Sequence, residues 1–230
     1  GGVFPVEAME TIEAMRYPDA STGWALMANQ AATGSAAAYL HPSVAKHIFG
    51  KRIPLMAGQG APIGRGIPEA GGYRLTGNWS YGSGILHSEW LHTGVTVWDG
   101  GAPRIIPGTD RPDTRIFILP IEKVELKGNW DVLGLRATGS VDYSVSDQFV
   151  PEEYTHDFLA NAPHHGGDTY RLGIVGFAVI AHMTWAIGIA KRTLDEIAKL
   201  AVAEKRPSNL AQPGGGEAFQ EKFGLLLAQY

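Results

Sequence analysis

The sequence predicts an α+β protein: helices first, an antiparallel β-barrel or sandwich in the middle, and a helical bundle last. Three observations lead there. Apolar residues recur at helical spacing before residue 50 and again after residue 168. Between those regions lie roughly six or seven short apolar or alternating runs, separated by turns rich in Gly and Pro. The period switches from helical to strand-like near Ile53. These shifts divide the chain into residues 1–52, the end of a helical domain; 53–151, a β domain; and 152–230, a connection and the first helices of a second helical domain.

The chain has 230 residues, 44% of them hydrophobic and 18% charged, which is a globular composition. A net charge of −4 provides no basic footprint, so a nucleic-acid partner is not expected. There are no cysteines, which removes disulfides, thiolate catalysis and Cys-ligated metals; a cytoplasmic location fits this usage. Gly1-Gly2, with no Met before it, reads as the interior of a longer protein.

The first helix is expected over Val6 to Met15, with Val6, Met9, Ile12 and Met15 on one face and Glu7, Glu10 and Glu13 on the other. Ser21 or Thr22 can cap a second helix from about Gly23 to Tyr39, whose many small residues imply close packing against another helix or a ligand. His41-Pro42 ends it, and Ser43 can cap a short helix to Phe49. Strands are expected at Pro54–Ala57, Tyr73–Trp79, Trp90–Trp98, Thr114–Ile121 and Lys123–Leu126, and again where Val141, Tyr143 and Val145 alternate with polar residues. Gly58 to Gly66 reads as a loop; it lacks the Lys-Ser/Thr ending of a P-loop and has no GxGxxG. His164-His165 with Asp168 is a poor metal site, because adjacent histidines seldom ligate together, and no metal is expected.

Thr169 to Lys205 reads as one long helix. Its first part, Leu172 to Ala190, carries no formal charge and is long enough to cross a bilayer. Three glycines, His182 and Thr184 favour burial instead, against other subunits or further sequence, and no membrane partner is expected. A linker follows near Gln212–Gly216, and a last helix begins near Glu217.

The most informative stretch is Gly71 to Gly84, Gly-Gly-Tyr-Arg-Leu-Thr-Gly-Asn-Trp-Ser-Tyr-Gly-Ser-Gly. It reads as a half-buried strand ending in Trp79 and Tyr81, then Gly82, Ser83 and Gly84. Aromatic rings supply an apolar wall, glycines admit a close backbone approach, and Ser83 adds one hydroxyl, a set suited to a flat ligand. The plainer alternative is a Gly-rich turn with two core aromatics. With His87-Ser88-Glu89-Trp90 after it, and with Asn129-Trp130-Asp131-Val132-Leu133-Gly134-Leu135-Arg136-Ala137-Thr138-Gly139-Ser140 further on, the stretch resembles the middle domain of the acyl-CoA dehydrogenase superfamily. Within it, the chain is similar to the branch of flavin-dependent two-component hydroxylases. The resemblance covers nearly the whole chain, and it implies further C-terminal helices beyond those present.

That resemblance implies a flavin cofactor, FAD or FMN, used as a reduced co-substrate, and a separate flavin reductase as partner. It implies hydroxylation of an aromatic or polycyclic small molecule, with acyl-CoA dehydrogenation or a non-catalytic binding role as alternatives. It also implies a homotetramer. Carried over by position, Tyr81, Gly82, Ser83 and Gly84 line the flavin edge, with Ser83 near the reactive nitrogen, and Thr138, Gly139 and Ser140 sit close by. Gln59 falls on the cofactor side, where hydroxylase relatives often have serine. Asn29 falls near the position of a catalytic histidine. Ser83 and Asn29 are therefore the candidate catalytic residues.

Overall fold

β6 (Thr114–Pro120) is the strand on which the layers of the molecule meet. In this computed structural model, which describes residues 5–202, 214 and 216–230, its alternate side chains serve two cores. Phe117 and Leu119 face a β core with Leu75, Leu91, Val95 and Val145, while Ile116 and Ile118 face the helices. A strand covered on both sides needs a continuous apolar run, and Ile-Phe-Ile-Leu supplies one.

The helical layer begins with α1 (Pro5–Arg16), α2 (Ala20–Tyr39) and α3 (Pro42–Phe49). The cap of α2 is Asp19, whose carboxylate accepts the Thr22 N–H at 2.6 Å, so the helix starts three residues before the expected Gly23. The cap of α3 is His41 rather than Ser43, with Pro42 in the first turn, where its missing N–H costs nothing. The small residues of α2 pack as expected. A β-carbon at Gly23 would lie 2.3 Å from that of Arg16, and Ala32 and Ala36 press on Met56 and the isoleucines of β6.

Among the described residues, nine strands form one sheet: β1 (Met56–Ala57), β2 (Gly64–Glu69), β3 (Gly72–Trp79), β4 (Trp90–Asp99), β5 (Ala102–Pro103), β6, β7 (Glu125–Leu126), β8 (Tyr143–Pro151) and β9 (Thr155–Asp157). Its main path runs β7-β8-β3-β2-β4-β6-β9, with β1 and β5 both added onto β4. Pairing is antiparallel except for β1 and β2, which run parallel to β4. The fold is thus mixed, with a mostly antiparallel sheet between helices. Three strands escape the sequence pattern, one of them the two-residue β5. β2 was expected as loop because Gly64, Gly66 and Pro68 interrupt it; the glycines are there because a β-carbon at Gly64 would meet Trp79 at 2.2 Å and one at Gly66 would meet Phe117 at 3.0 Å. β9 lies in the polar connection after Pro151. The expected strand Lys123–Leu126 is shortened to β7, Glu125–Leu126, because Lys123 closes a 3₁₀ turn over Ile121–Lys123.

Trp79 belongs to the core. It is 2% exposed, stacks on Tyr143 at 5.3 Å, and donates its indole N–H to the Gly94 carbonyl at 3.0 Å. The plainer reading holds for this residue, which is not a ligand wall.

The C-terminal helices are α4 (Gly173–Val202) and α5 (Glu217–Gln229). α4 starts later than Thr169, after a 3₁₀ turn over Asp168–Leu172, because Gly173 adopts a φ of 67° that breaks the helix. The expected end of the helix at Lys205 lies outside the described residues, as does most of the Gln212–Gly216 linker. Ile174, Ala181, Thr184 and Gly188 pack inward, with Ala181 against Ile12 and Met27. Val175, Val179, Met183 and Ile187, four apart, form an exposed apolar stripe. Asp168–Val202 is long and apolar enough to cross a membrane by length and composition, and 22% of its most apolar window is buried. The expected burial is therefore met on one face only.

Under α4, Arg16 is 1% exposed and lies over Gly188. Its guanidinium has no hydrogen-bond partner among the described residues, and the Glu13 carboxylate is 3.7 Å away.

Candidate functional site

Where β3 ends, the chain turns sharply. Tyr81 takes a φ of 65°, an unusual value for a side chain of that size, and Gly84 a φ of 74°. The turn is pinned from both sides: the Gly82 N–H donates to the Val141 carbonyl at 3.0 Å and the Gly84 N–H to the Thr138 carbonyl at 2.9 Å. The Gly71–Gly84 stretch and the Arg136–Ser140 stretch, far apart in sequence, are thereby one structural unit.

The turn sets Ser83 at the wall of a cavity of about 420 Å³. Its other walls are α2 (Trp24, Ala28, Ala31), the Gly58–Ala61 loop, His92 of β4, and α4 (Ile174, Ala178, His182). Small side chains on α2 and the loop keep it open; a β-carbon on Gly60 would touch nothing within 4 Å. The volume and the mostly apolar lining with few polar groups are those of a small-molecule site.

The Ser83 hydroxyl is 2.9 Å from the Trp24 indole nitrogen, which donates to it, and 2.7 Å from Ser140 Oγ. Ser140 contacts Thr138 Oγ1 at 2.6 Å, and Thr138 donates to the Leu135 carbonyl at 2.8 Å. Trp24 is itself wedged edge-on between His182 and Trp185. Trp24 falls in the first turn of the helix expected from Gly23, and a tryptophan among small residues was the available signal.

Of the ten site assignments made from sequence, counting Ser83 in both roles, Gln59, Tyr81 and Ser83 line the cavity. Gln59 is fixed through its backbone, its N–H donating to Tyr143 Oη at 2.7 Å and its carbonyl accepting from the Gly94 N–H at 2.8 Å. Tyr81 is exposed and meets Trp130 edge-on. Thr138 and Ser140 are buried behind Ser83, and Gly82, Gly84 and Gly139 shape the two turns. Asn29, expected at a catalytic position, sits behind the turn. Its amide donates to the Met56 carbonyl at 2.8 Å and to Ser88 Oγ at 3.3 Å, clamping α2 to the sheet.

His92 is a polar group at the cavity wall that the sequence did not single out. It is 2% exposed and contacts Ser35 Oγ at 2.7 Å through Nε2. Burial, with His156 nearby, lowers its pKa to about 3, so it is neutral at pH 7. It acts there as a hydrogen-bonding group and not as a strong base.

No family model matches the chain. It is 29% identical over 216 residues to a pigment production hydroxylase of a Rhodococcus species, covering 90% of this chain and 54% of that protein. It is 28% identical over 197 residues to indole-3-acetate monooxygenase of Pseudomonas putida, covering 86% and 48%. A 107-residue match to the flavin-dependent monooxygenase oxygenase subunit HsaA of Mycobacterium tuberculosis is 36% identical, covering 46% and 25%. These relatives are hydroxylases and monooxygenases by name. The chain spans about half the length of the first two. Among solved structures, 3-HSA hydroxylase from Rhodococcus sp. RHA1 superimposes with a TM-score of 0.75 over 96% of this chain and 62% of its own, at 21% identity. XiaF from a Streptomyces species, in complex with FADH2 and glycerol, gives 0.73 over 94% and 55%, at 20% identity. At these identities the likeness is one of fold.

Proposed function

We propose that the chain belongs to the oxygenase component of a two-component flavin-dependent monooxygenase, which hydroxylates an aromatic or polycyclic small molecule with reduced FAD or FMN supplied by a separate reductase. The observation that carries this reading is Ser83, a hydroxyl held by Trp24 and Ser140 at the wall of an otherwise mostly apolar cavity. The relatives' names and the FADH2 in XiaF support it. The acyl-CoA dehydrogenase-like three-part fold, with its middle domain as a barrel or sandwich, belongs to the same reading.

When bound, reduced flavin supplies the activation of oxygen. The residues of this chain bind and orient. Gly58, Gly60 and Ala61 admit a flat ring to the loop backbone, Ser83 and Gln59 offer hydrogen bonds, and α2 and α4 exclude water with Ala28, Ala31, Ile174 and Ala178. Neutral His92 offers one polar contact at the wall for a substrate or ring substituent. Anaerobic titration of the purified protein with reduced FAD tests the reading directly. Saturable binding, followed by oxygen-dependent hydroxylation of a phenol or indole, is expected. No binding of reduced FAD or FMN sinks it.

The same reading assigns the exposed stripe of α4 to an interface in a homotetramer in the cytoplasm, since an apolar stripe of that length is seldom left uncovered. Light scattering without detergent should give the tetramer mass; a monodisperse monomer would contradict the assignment.

A further inference from the structure

The hydroxyl protons around Ser83 can be placed one by one. Thr138 donates its only hydroxyl proton to the Leu135 carbonyl, so it accepts in its contact with Ser140. Ser140 therefore donates to Thr138 and accepts from Ser83. The Trp24 indole can only donate. The result is a one-way chain, Trp24 to Ser83 to Ser140 to Thr138 to Leu135. In it, Ser83 has one free lone pair and no proton to offer the cavity.

One other arrangement keeps the contacts among Trp24, Ser83, Ser140 and Thr138. If Thr138 turns its proton to Ser140, and Ser140 to Ser83, then Ser83 accepts twice and donates into the cavity. Only the bond from the Thr138 hydroxyl to Leu135 is lost. The Leu135 carbonyl keeps the Trp130 indole N–H at 3.2 Å and the Thr138 backbone N–H at 3.2 Å, enough for its two lone pairs. Thr138 and Ser140 are 2% and 3% exposed, so water does not stand in for either.

We propose that Thr138 and Ser140 are positioning residues that set the hydrogen-bonding sense of Ser83 and so let the site read the redox state of a flavin. The resting chain receives a donor from the cavity. Reduced isoalloxazine carries a hydrogen on N5, whereas the oxidised ring presents a bare acceptor nitrogen there. The reduced form matches the resting chain, and the oxidised form has to turn it around. This rests on the flavin reading above and adds to it the residues behind Ser83.

The test is the ratio of dissociation constants for oxidised and dithionite-reduced FAD, measured anaerobically on the purified protein. Thr138→Val leaves Ser140 no acceptor except Ser83, which fixes Ser83 as a donor. Ser140→Ala frees the Ser83 proton by a different route, and it carries the test if Thr138→Val does not fold. Both variants should shift the ratio toward the oxidised form by about threefold or more, about 14 mV for the two-electron couple. Thr138→Ser keeps the hydroxyl and should keep the wild-type ratio. If Thr138 and Ser140 only fill space, both forms weaken alike and the ratio stays put, which overturns the proposal; so does a shift toward the reduced form. If the wild-type protein binds neither form, the flavin reading fails and takes the proposal with it.

Discussion

The side-chain amide of Asn29 lies against the α-carbon of Gly84, so close that a β-carbon there would be 2.4 Å from Oδ1. Gly84 also holds a φ of 74° and accepts the Ser88 hydroxyl on its carbonyl at 3.0 Å. Gly84→Ala therefore meets both backbone strain and a clash. It should lower stability by about 2–4 kcal/mol in denaturant melts. Adding Asn29→Ala should recover part of that loss, giving a coupling of about 1 kcal/mol or more in a double-mutant cycle. Strict additivity would show that the two residues do not press on each other.

Ser83→Ala should cost stability as well as binding. Its side chain is 8% exposed and bonded on both sides. Its loss leaves the Trp24 N–H without its acceptor, at a cost of about 1–2 kcal/mol, a fall in Tm of about 3–6 °C. Reduced-flavin affinity should fall in the same variant. An unchanged Tm would mean that water replaces the hydroxyl.

Arg16→Met should stabilise the protein. The guanidinium is buried without a hydrogen bond among the described residues, and its aliphatic stem already packs against Gly23. An apolar chain of similar length keeps the packing and removes a buried charge whose ion pair with Glu13, at 3.7 Å, carries no hydrogen bond, a gain of about 1–3 kcal/mol. A lower midpoint in urea would instead show that Arg16 has found an anion in solution.

Stability should fall below about pH 6.5. Burial holds His92 near 3 and His156 near 4, so both are neutral in the fold and take up protons on unfolding. Their contribution is complete above the unfolded value and is lost as the pH drops through the window toward the folded values. Each adds a slope of about 1.4 kcal/mol per pH unit within that window. His92→Gln, which keeps a polar group toward Ser35, should flatten the acid limb between pH 4 and 6.5 in thermal melts. An unchanged profile would assign the acid sensitivity to other groups.

Much of the architecture was legible because burial writes a period into the chain. Tyr73 and Leu75 are buried while Arg74 and Thr76 are exposed, as alternation required. β2 was illegible because its glycines answer to Trp79 and Phe117, partners distant in sequence. The same limit applied to the site. Ser83 and Ser140 were named from their motifs, but their hydrogen bond, and the one from Trp24, span 57 and 59 residues and leave no local trace. Trp79 and Tyr81 looked alike in sequence. The positive φ at Tyr81 turns that ring out of the sheet and leaves Trp79 inside.

α4 is at once the ceiling of the cavity and part of the outside of the molecule. Val175 and Val179 line the cavity and are also about half exposed. A body resting on that stripe from outside would press on the ceiling through a single layer of side chains. How tightly the cavity grips its guest would then vary with protein concentration, and a dilution series would register assembly as a change in affinity.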